Sequence, residues 1–173
     1  MKHFDAIQPT AFDKIFERIG KETMLISAAH EGRANTMTAS WGACGVLWNK
    51  PVAICFVRPQ RFTYPILENG THFSLAFLGG EHRDALRFCG TRSGADYPDK
   101  FSAAGLQCAY TEDGVPYPEE AREVLICRKL FSERMQKESF LDEALLSHYP
   151  EDDFHQVFVG EICAYLRASD ESV

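Results

Sequence analysis

Arg58-Pro59-Gln60-Arg61-Phe62-Thr63 sets two guanidinium groups and a hydroxyl side by side in the chain. A phosphate needs fixed positive charge and several donors, and arginine offers a planar fork that matches phosphate oxygens. Pro59 stiffens the segment, and Thr63 adds a hydroxyl and a backbone N–H where a helical turn could begin. Two solvated arginines after a strand are the plainer account. Upstream, Asn35-Thr36-Met37-Thr38-Ala39-Ser40-Trp41 alternates polar groups along a strand. Asn35, Met37, Ala39 and Trp41 share one face, while Thr36, Thr38 and Ser40 share the other. A planar polar ring could lie along such a strand, though an edge strand with a polar face has the same letters. The apolar run Val52 to Val57 separates the two clusters, and together they favour a binding site.

Other chemistry is thinly supported. The six histidines, His3, His30, His72, His82, His148 and His155, are scattered, with no H-x-x-x-H pair, so no metal site is expected. His155 stands out because it follows Glu151-Asp152-Asp153 and opens the last strand; a partly exposed strand-end histidine is its plain alternative. No G-x-S-x-G supports a serine hydrolase. Gly42-Ala43-Cys44-Gly45 is only a G-x-x-G. Lys100, after a loop rich in Gly and Ser, could reach an anion or simply be solvated. Trp48 and Phe56 read as core. The six cysteines form no C-x-x-C pair and read as buried free thiols of a reducing cytoplasm.

The chain that must position these residues has 173, with 45% apolar and 25% charged side chains. That suits one domain with a substantial core. A formal net charge of −7 opposes nonspecific binding to nucleic acid or an anionic membrane. Met1 to Thr10 has no apolar run with a basic flank, so no signal peptide is expected, and no stretch is long enough to span a membrane.

Thr10 to Gly20 has helical spacing at Phe12, Ile15, Phe16 and Ile19, with Thr10 and Asp13 spaced as a capping box. Strands are expected over Thr23 to His30, Ala34 to Trp41, Val52 to Val57, Thr71 to Leu78, Leu106 to Thr111, Val124 to Phe131 and Phe154 to Arg167. Val52 to Val57 is apolar throughout, as in a strand covered on both faces. Gly160 marks a possible bulge. Helical turns are expected at Phe62 to Asn69, Glu81 to Cys89, Phe101 to Gly105 and Ser139 to Tyr149. Gly90 to Lys100 reads as a loop, Glu112 to Glu120 as a surface turn, and Ser169 to Val173 as a frayed tail. Consecutive antiparallel strands with helices confined to connections predict a mainly β protein, a barrel or sandwich with peripheral helices.

Asn35 to Gly42, then Gly45-Val46-Leu47-Trp48-Asn49-Lys50-Pro51, Val57 to Thr63 and Phe73-Ser74-Leu75-Ala76-Phe77 form one ordered series of motifs. Cys89-Gly90-Thr91-Arg92-Ser93-Gly94, Asp99-Lys100-Phe101 and the closing His155 to Ile162 continue it. Through these segments, which span most of the chain, it resembles the flavin reductase-like family of FMN-binding split-barrel proteins, and within it the flavoredoxin-type branch. The resemblance implies a six-stranded split barrel, a homodimer, and FMN held noncovalently near the subunit interface. It implies that Asn35, Thr38, Ala39, Ser40 and Trp41 line the isoalloxazine and ribityl chain, and that Arg58, Arg61 and Thr63 hold the phosphate. Ser74 and Leu75 would touch the flavin, Ser93, Gly94 and Lys100 would close over it, and His155 would face its open side. Many relatives have Asn where this chain has Ser74.

The implied activity is that of an NAD(P)H:flavin reductase, with a hydride passing from NADH or NADPH to bound FMN and electrons leaving to a flavin or protein acceptor. A cofactor that carries the reactive atom needs little acid–base machinery, which suits the lack of a catalytic dyad. Main-chain N–H groups near the ring could stabilise the reduced anion. The rival is a non-enzymatic FMN-binding electron-transfer protein; an orphan barrel without cofactor is a third possibility.

Overall fold

In a computed structural model, residues 2–169 are described. Ten strands dominate the described residues. β1 is Phe4–Ile7, β2 Met24–His30, β3 Arg33–Ala39, β4 Gly42–Leu47 and β5 Lys50–Val57. β6 is His72–Phe77, β7 Cys108–Tyr110, β8 Pro116–Pro118, β9 Glu123–Arg134 and β10 Gln156–Ala168. The helices are short: α1 Ile15–Glu17, α2 Thr63–Asn69, α3 Arg83–Thr91 and α4 Lys100–Ala103. Among the described residues no helix is long and apolar enough to cross a membrane.

One antiparallel sheet runs β3-β2-β6-β9-β10-β5-β4, with β1 added to the far half of β10. Its two end strands, β3 and β4, are joined by only Ser40 and Trp41. The sheet must therefore curl until its ends nearly meet, yet no ladder joins β3 to β4. The result is a split barrel, as the resemblance implies, but with seven strands along the path where six were expected. β4 supplies the difference. No strand was expected in its segment, read only as a G-x-x-G, but a tight turn at Trp48 (φ 52°) and Asn49 (φ 57°) folds it back on β5. Such a two-residue turn with both φ positive matches the twist of a hairpin.

Alternation along the strands gives the sheet two cores. Met24, Ile26, Leu75, Phe77, Leu125, Cys127 and Phe158 point into the barrel. Leu25, Ala76, Val124 and Ile126 point outward, where Leu86 and Cys89 of α3, Phe101 of α4, and Leu106 cover them. Each fully buried Leu or Phe contributes on the order of 1.5–3 kcal/mol. Gly160 does sit at an irregularity: β10 pairs Val159 with Phe131 and Gly160 with Lys129, leaving Leu130 as the extra residue on β9. A Cβ at Gly160 would stand 2.7 Å from the Phe73 ring, so glycine lets that ring fill the barrel.

The first predicted helix is broken. A 3-10 turn at Pro9–Ala11 is followed by Lys14 in the left-handed region (φ 51°), then by α1 and a π-helical turn at Arg18–Glu22. Phe12 and Ile19 are buried as predicted, but Phe16 is 95% exposed. Tertiary contacts override the helical spacing here: the Arg18 guanidinium forms a 2.8 Å ion pair with Glu123 on β9. Glu123 is buried and also accepts a hydrogen bond from the Tyr165 hydroxyl at 2.5 Å, with Arg167 3.3 Å away. Trp48 is half exposed rather than core, because it occupies the hairpin turn. Ile54 and Phe56 are only partly covered, so β5 is not sealed on both faces. β1 and β8 were not anticipated; β8 forms from the expected surface turn and pairs with β7. All six cysteines are free thiols, with Cys163 exposed rather than buried. Beyond Ser169 the predicted tail lies outside the described residues.

Candidate functional site

Among the described residues β3 pairs only with β2, so alternate main-chain N–H and C=O groups on its other side face the split. At the end of that open edge a cavity of about 220 Å³ is lined by Thr38, Ala39, Ser40, Trp41, Arg58, Arg61 and His155, with Met37 and Phe56. β3 brings the polar cluster, the chain after β5 brings the arginines, and the residue preceding β10 brings the histidine. Gly42 permits the crossing from β3 to β4, since a Cβ there would lie 2.9 Å from the Ile54 carbonyl oxygen.

Arg61 also borders a second hollow of about 170 Å³, lined by Thr63, Ser93, Gly94 and Lys100 with Gln60 and Phe62 among the rest. α4 delivers the lysine. Asp99 caps that helix by accepting the Ser102 N–H at 3.1 Å, which turns Lys100 inward until it is 2% exposed. Lys100 Nζ donates to the Cys89 carbonyl at 2.9 Å, and Arg61 donates to the carbonyls of Gly90 at 3.0 Å and Cys89 at 3.3 Å. These are the last carbonyls of α3, the partly negative end of a helix. Among the described residues neither cation has a carboxylate partner. Burial pushes the Lys100 ammonium down to about 8, and nearby Arg61 adds to that. Burial likewise lowers Arg61. Two desolvated cations with only carbonyl partners form an arrangement that an anion would complete.

Asn35 lies beneath this hollow. It is 1% exposed, and its Nδ2 donates to Thr63 Oγ1 at 2.8 Å, while its Oδ1 has no partner. A Cβ on Gly94 would come within 2.5 Å of that oxygen, so glycine lets the loop close over Asn35 and Phe62. A buried amide oxygen left without a donor is a costly feature, and Asn35 lines neither hollow.

Arg58 differs. Its guanidinium is ion-paired with Asp153, donates to the His148 carbonyl at 2.7 Å, and lies 5.2 Å from the Tyr149 ring centroid. Gln60 holds the same Asp153 oxygen at 2.5 Å. The two arginines thus part company: Arg61 faces both hollows, and Arg58 braces the segment before β10. Asp153 stays below the ordinary carboxylate range through its hydrogen bond from Arg58.

His155 is 8% exposed, its ring centroid 5.1 Å from that of Trp41, and its Nδ1 is 2.9 Å from the Tyr149 hydroxyl. Burial pushes its pKa down to about 4, helped by Arg58 and opposed by Asp153. It is a neutral imidazole at pH 7, able to donate or accept one hydrogen bond but carrying no charge.

Ser74 and Leu75 stand apart from both hollows. The Ser74 hydroxyl is fully buried and donates to the Pro116 carbonyl at 2.6 Å; Leu75 is fully buried inside the barrel. Thr38 uses its own hydroxyl on the Leu86 carbonyl at 2.5 Å, so it offers the cavity its main chain and methyl. Phe56, read as core, is a wall of the cavity. Tyr149 went unnoticed because nothing near it in sequence signals a partner for His155. Asp153 was legible only as part of an acidic run. Among the described residues no cluster of His, Cys, Asp and Glu could hold a metal ion.

Known proteins give this arrangement its context. Among curated proteins none matches the sequence. Solved structures do match. An FMN-binding domain of a flavin reductases-like enzyme from Shewanella baltica superposes with a TM-score of 0.71 at 16% identity, covering 96% of this chain and 78% of that one. Flavoredoxin from Methanosarcina acetivorans gives 0.66 at 24% identity, over 87% of this chain and 69% of that one. An NADH:FAD oxidoreductase from Streptomyces globisporus gives 0.66 at 18%, over 84% and 75%. At such identities the likeness is one of fold. The sequence itself matches the model of the flavin reductase like domain over residues 16–172. With nearly the whole chain matched, this split-barrel protein belongs to the flavin reductase-like family.

Proposed function

We propose that the chain forms one flavin reductase-like domain and is an FMN-dependent oxidoreductase. Bound FMN would accept a hydride from NADH or NADPH and pass the electrons to a second acceptor. The observation that carries the cofactor is the pair of hollows meeting at Arg61. One offers an open strand edge with Thr38 to Trp41 for a flat ring system. The other offers Arg61, Lys100, Thr63 and Ser93 for a phosphate. FMN, whose single phosphate ends the ribityl chain attached to its ring, suits two adjoining hollows.

The protein's own contribution is binding and orientation. Ser40 and Trp41 bound the ring site, Arg61 and Lys100 anchor the anion, and neutral His155 faces the open side. His155→Ala is expected to slow FMN reduction by about tenfold while changing FMN affinity less than threefold, since removing a positioned hydrogen-bonding group is worth roughly 1 kcal/mol or more. Single-turnover traces beside an FMN titration check this; loss of the cofactor would place His155 in the binding set instead.

A homodimer is part of the same proposal. Val46 is 77% exposed, and Trp48 and Phe131 lie beside each other with ring centroids 6.4 Å apart, also exposed. Adjacent apolar side chains on an outer strand face suit a second copy better than water. Val46→Asp is expected to shift the protein toward monomer in analytical ultracentrifugation; an unchanged species would exclude this face. A cytoplasmic setting is proposed from the free thiols.

The deciding experiment is an absorbance spectrum of the FMN-loaded protein followed by anaerobic mixing with NADH and with NADPH. Bleaching at a useful rate is expected. No bleaching by either, with FMN bound, would leave the electron-transfer protein as the better description.

A further inference from the structure

His155 meets the ring site with one nitrogen and the rest of the fold with the other. Nδ1 lies 2.9 Å from the Tyr149 hydroxyl. Nε2 has no hydrogen-bond partner among the described residues and is not fully buried, and the ring walls the cavity of about 220 Å³. Which nitrogen carries the hydrogen therefore decides what that cavity is offered. Tyr149 is placed to make the choice. Its hydroxyl has two neighbours, Nδ1 and the Met135 sulfur at 3.7 Å. A thioether is a weak acceptor beside an imidazole nitrogen, so the hydroxyl donates to Nδ1 and the ring hydrogen sits on Nε2.

Neither ring is free to drift. Tyr149 is buried, with its ring centroid 4.9 Å from that of Phe154 and 5.6 Å from that of Phe140. Arg58 grips the chain on both sides of it, at the His148 carbonyl and the Asp153 carboxylate, and lies over its ring. Trp41 and Phe56 flank the imidazole, with centroids 5.1 Å and 6.4 Å away. We propose that Tyr149 is a positioning residue that fixes His155 as its Nε2–H tautomer, so that the ring site faces a hydrogen-bond donor. Its effect on flavin reduction rests on the cofactor assignment above; the tautomer does not. Such a donor complements a ring carbonyl or an unprotonated ring nitrogen and opposes an N–H at the same point. Arg58, which holds no open anion site, gains a task from this: it clamps the segment that carries the tyrosine.

Long-range proton–nitrogen correlation spectra of the full chain, isotope-labelled at histidine and recorded with and without FMN, test the assignment. At neutral pH His155 is expected to show its hydrogen on Nε2 alone. In Tyr149→Phe both tautomers should be populated, moving both ring nitrogens to intermediate shifts. The variant also loses a donor that favours neutral imidazole, so the His155 pKa, about 4 in the native chain, should rise by about one unit. Burial and Arg58, which hold it down, and Asp153, which draws it up, are untouched by the substitution, as is Arg61 across the cavity. FMN reduction by NADH should slow about fivefold with FMN affinity kept within about twofold, as for one lost neutral hydrogen bond. In a His155→Gln background, whose amide has no tautomer to choose, Tyr149→Phe should change the rate by less than about twofold. Hydrogen on Nδ1 or shared between the nitrogens in the native chain, an unchanged spectrum in Tyr149→Phe, or an equal loss of rate in the glutamine background would overturn the proposal. The native spectrum decides the tautomer even where Tyr149→Phe fails to fold. A fixed Nε2–H in a chain that binds no FMN overturns the cofactor assignment alone; FMN bound and reduced beside a mixed tautomer overturns this inference alone.

Discussion

Arg61→Ala is expected to raise the FMN Kd about thirty-fold, equivalent to roughly 2 kcal/mol for a lost charge-assisted phosphate contact. Arg58→Ala should weaken retention by a smaller factor, although the two residues look equivalent in sequence. Arg58 already has a carboxylate, and its removal acts mainly by freeing Asp153 and the segment before β10. Arg61 has only carbonyl partners, so an arriving phosphate adds a new interaction where none was satisfied by charge. An FMN titration by fluorescence decides the order; equal losses, or a larger loss for Arg58→Ala, would sink the anion assignment. Lys100 supplies a pH signature. Its folded pKa, about 8, lies below the unfolded value. The unfolded chain therefore binds more protons between about pH 8 and the ordinary lysine range, and cofactor-free stability from this group rises with pH across that window. FMN would favour the charged ammonium, so affinity should fall as pH rises above 8. Lys100→Met should flatten that fall.

Glu123→Ala should destabilise the fold by about 3 kcal/mol, read as a lower urea midpoint with little change in slope. The substitution leaves the largely buried Arg18 guanidinium and the Tyr165 hydroxyl without their acceptor. Arg18→Ala should cost less, because Glu123 then keeps Tyr165 and Arg167. A reversed order would mean that the ion pair is not what holds the first segment to the barrel.

Much of the barrel was legible because its strands carry strong local signals. β2, β6 and β10 alternate or run apolar between turn residues, and Gly160 announced its irregularity. α3 was legible from Ala85, Leu86 and Cys89, one buried stripe on an otherwise polar helix. The segment from Thr10 to Gly20 misled for a related reason. Its spacing fits a helix, but an ion pair to a residue about a hundred positions away fixes a different path. β4 was invisible because Gly42 to Leu47 has little strand character of its own; the hairpin register onto β5 creates it.

For the site, residue types alone determined that a strand rich in hydroxyls and a turn rich in arginines were the places to look. Periodicity determined which of the strand residues share a face. Only the tertiary structure decided that Arg61, not Arg58, stands with Lys100, and that Ser74 and Leu75 lie inside the sheet. It alone placed Tyr149 against His155. The physical reason is distance along the chain. Local sequence fixes which way a side chain points from its own strand or helix. Whether a buried charge finds a carboxylate, or a space stays open, depends on groups that only folding brings together.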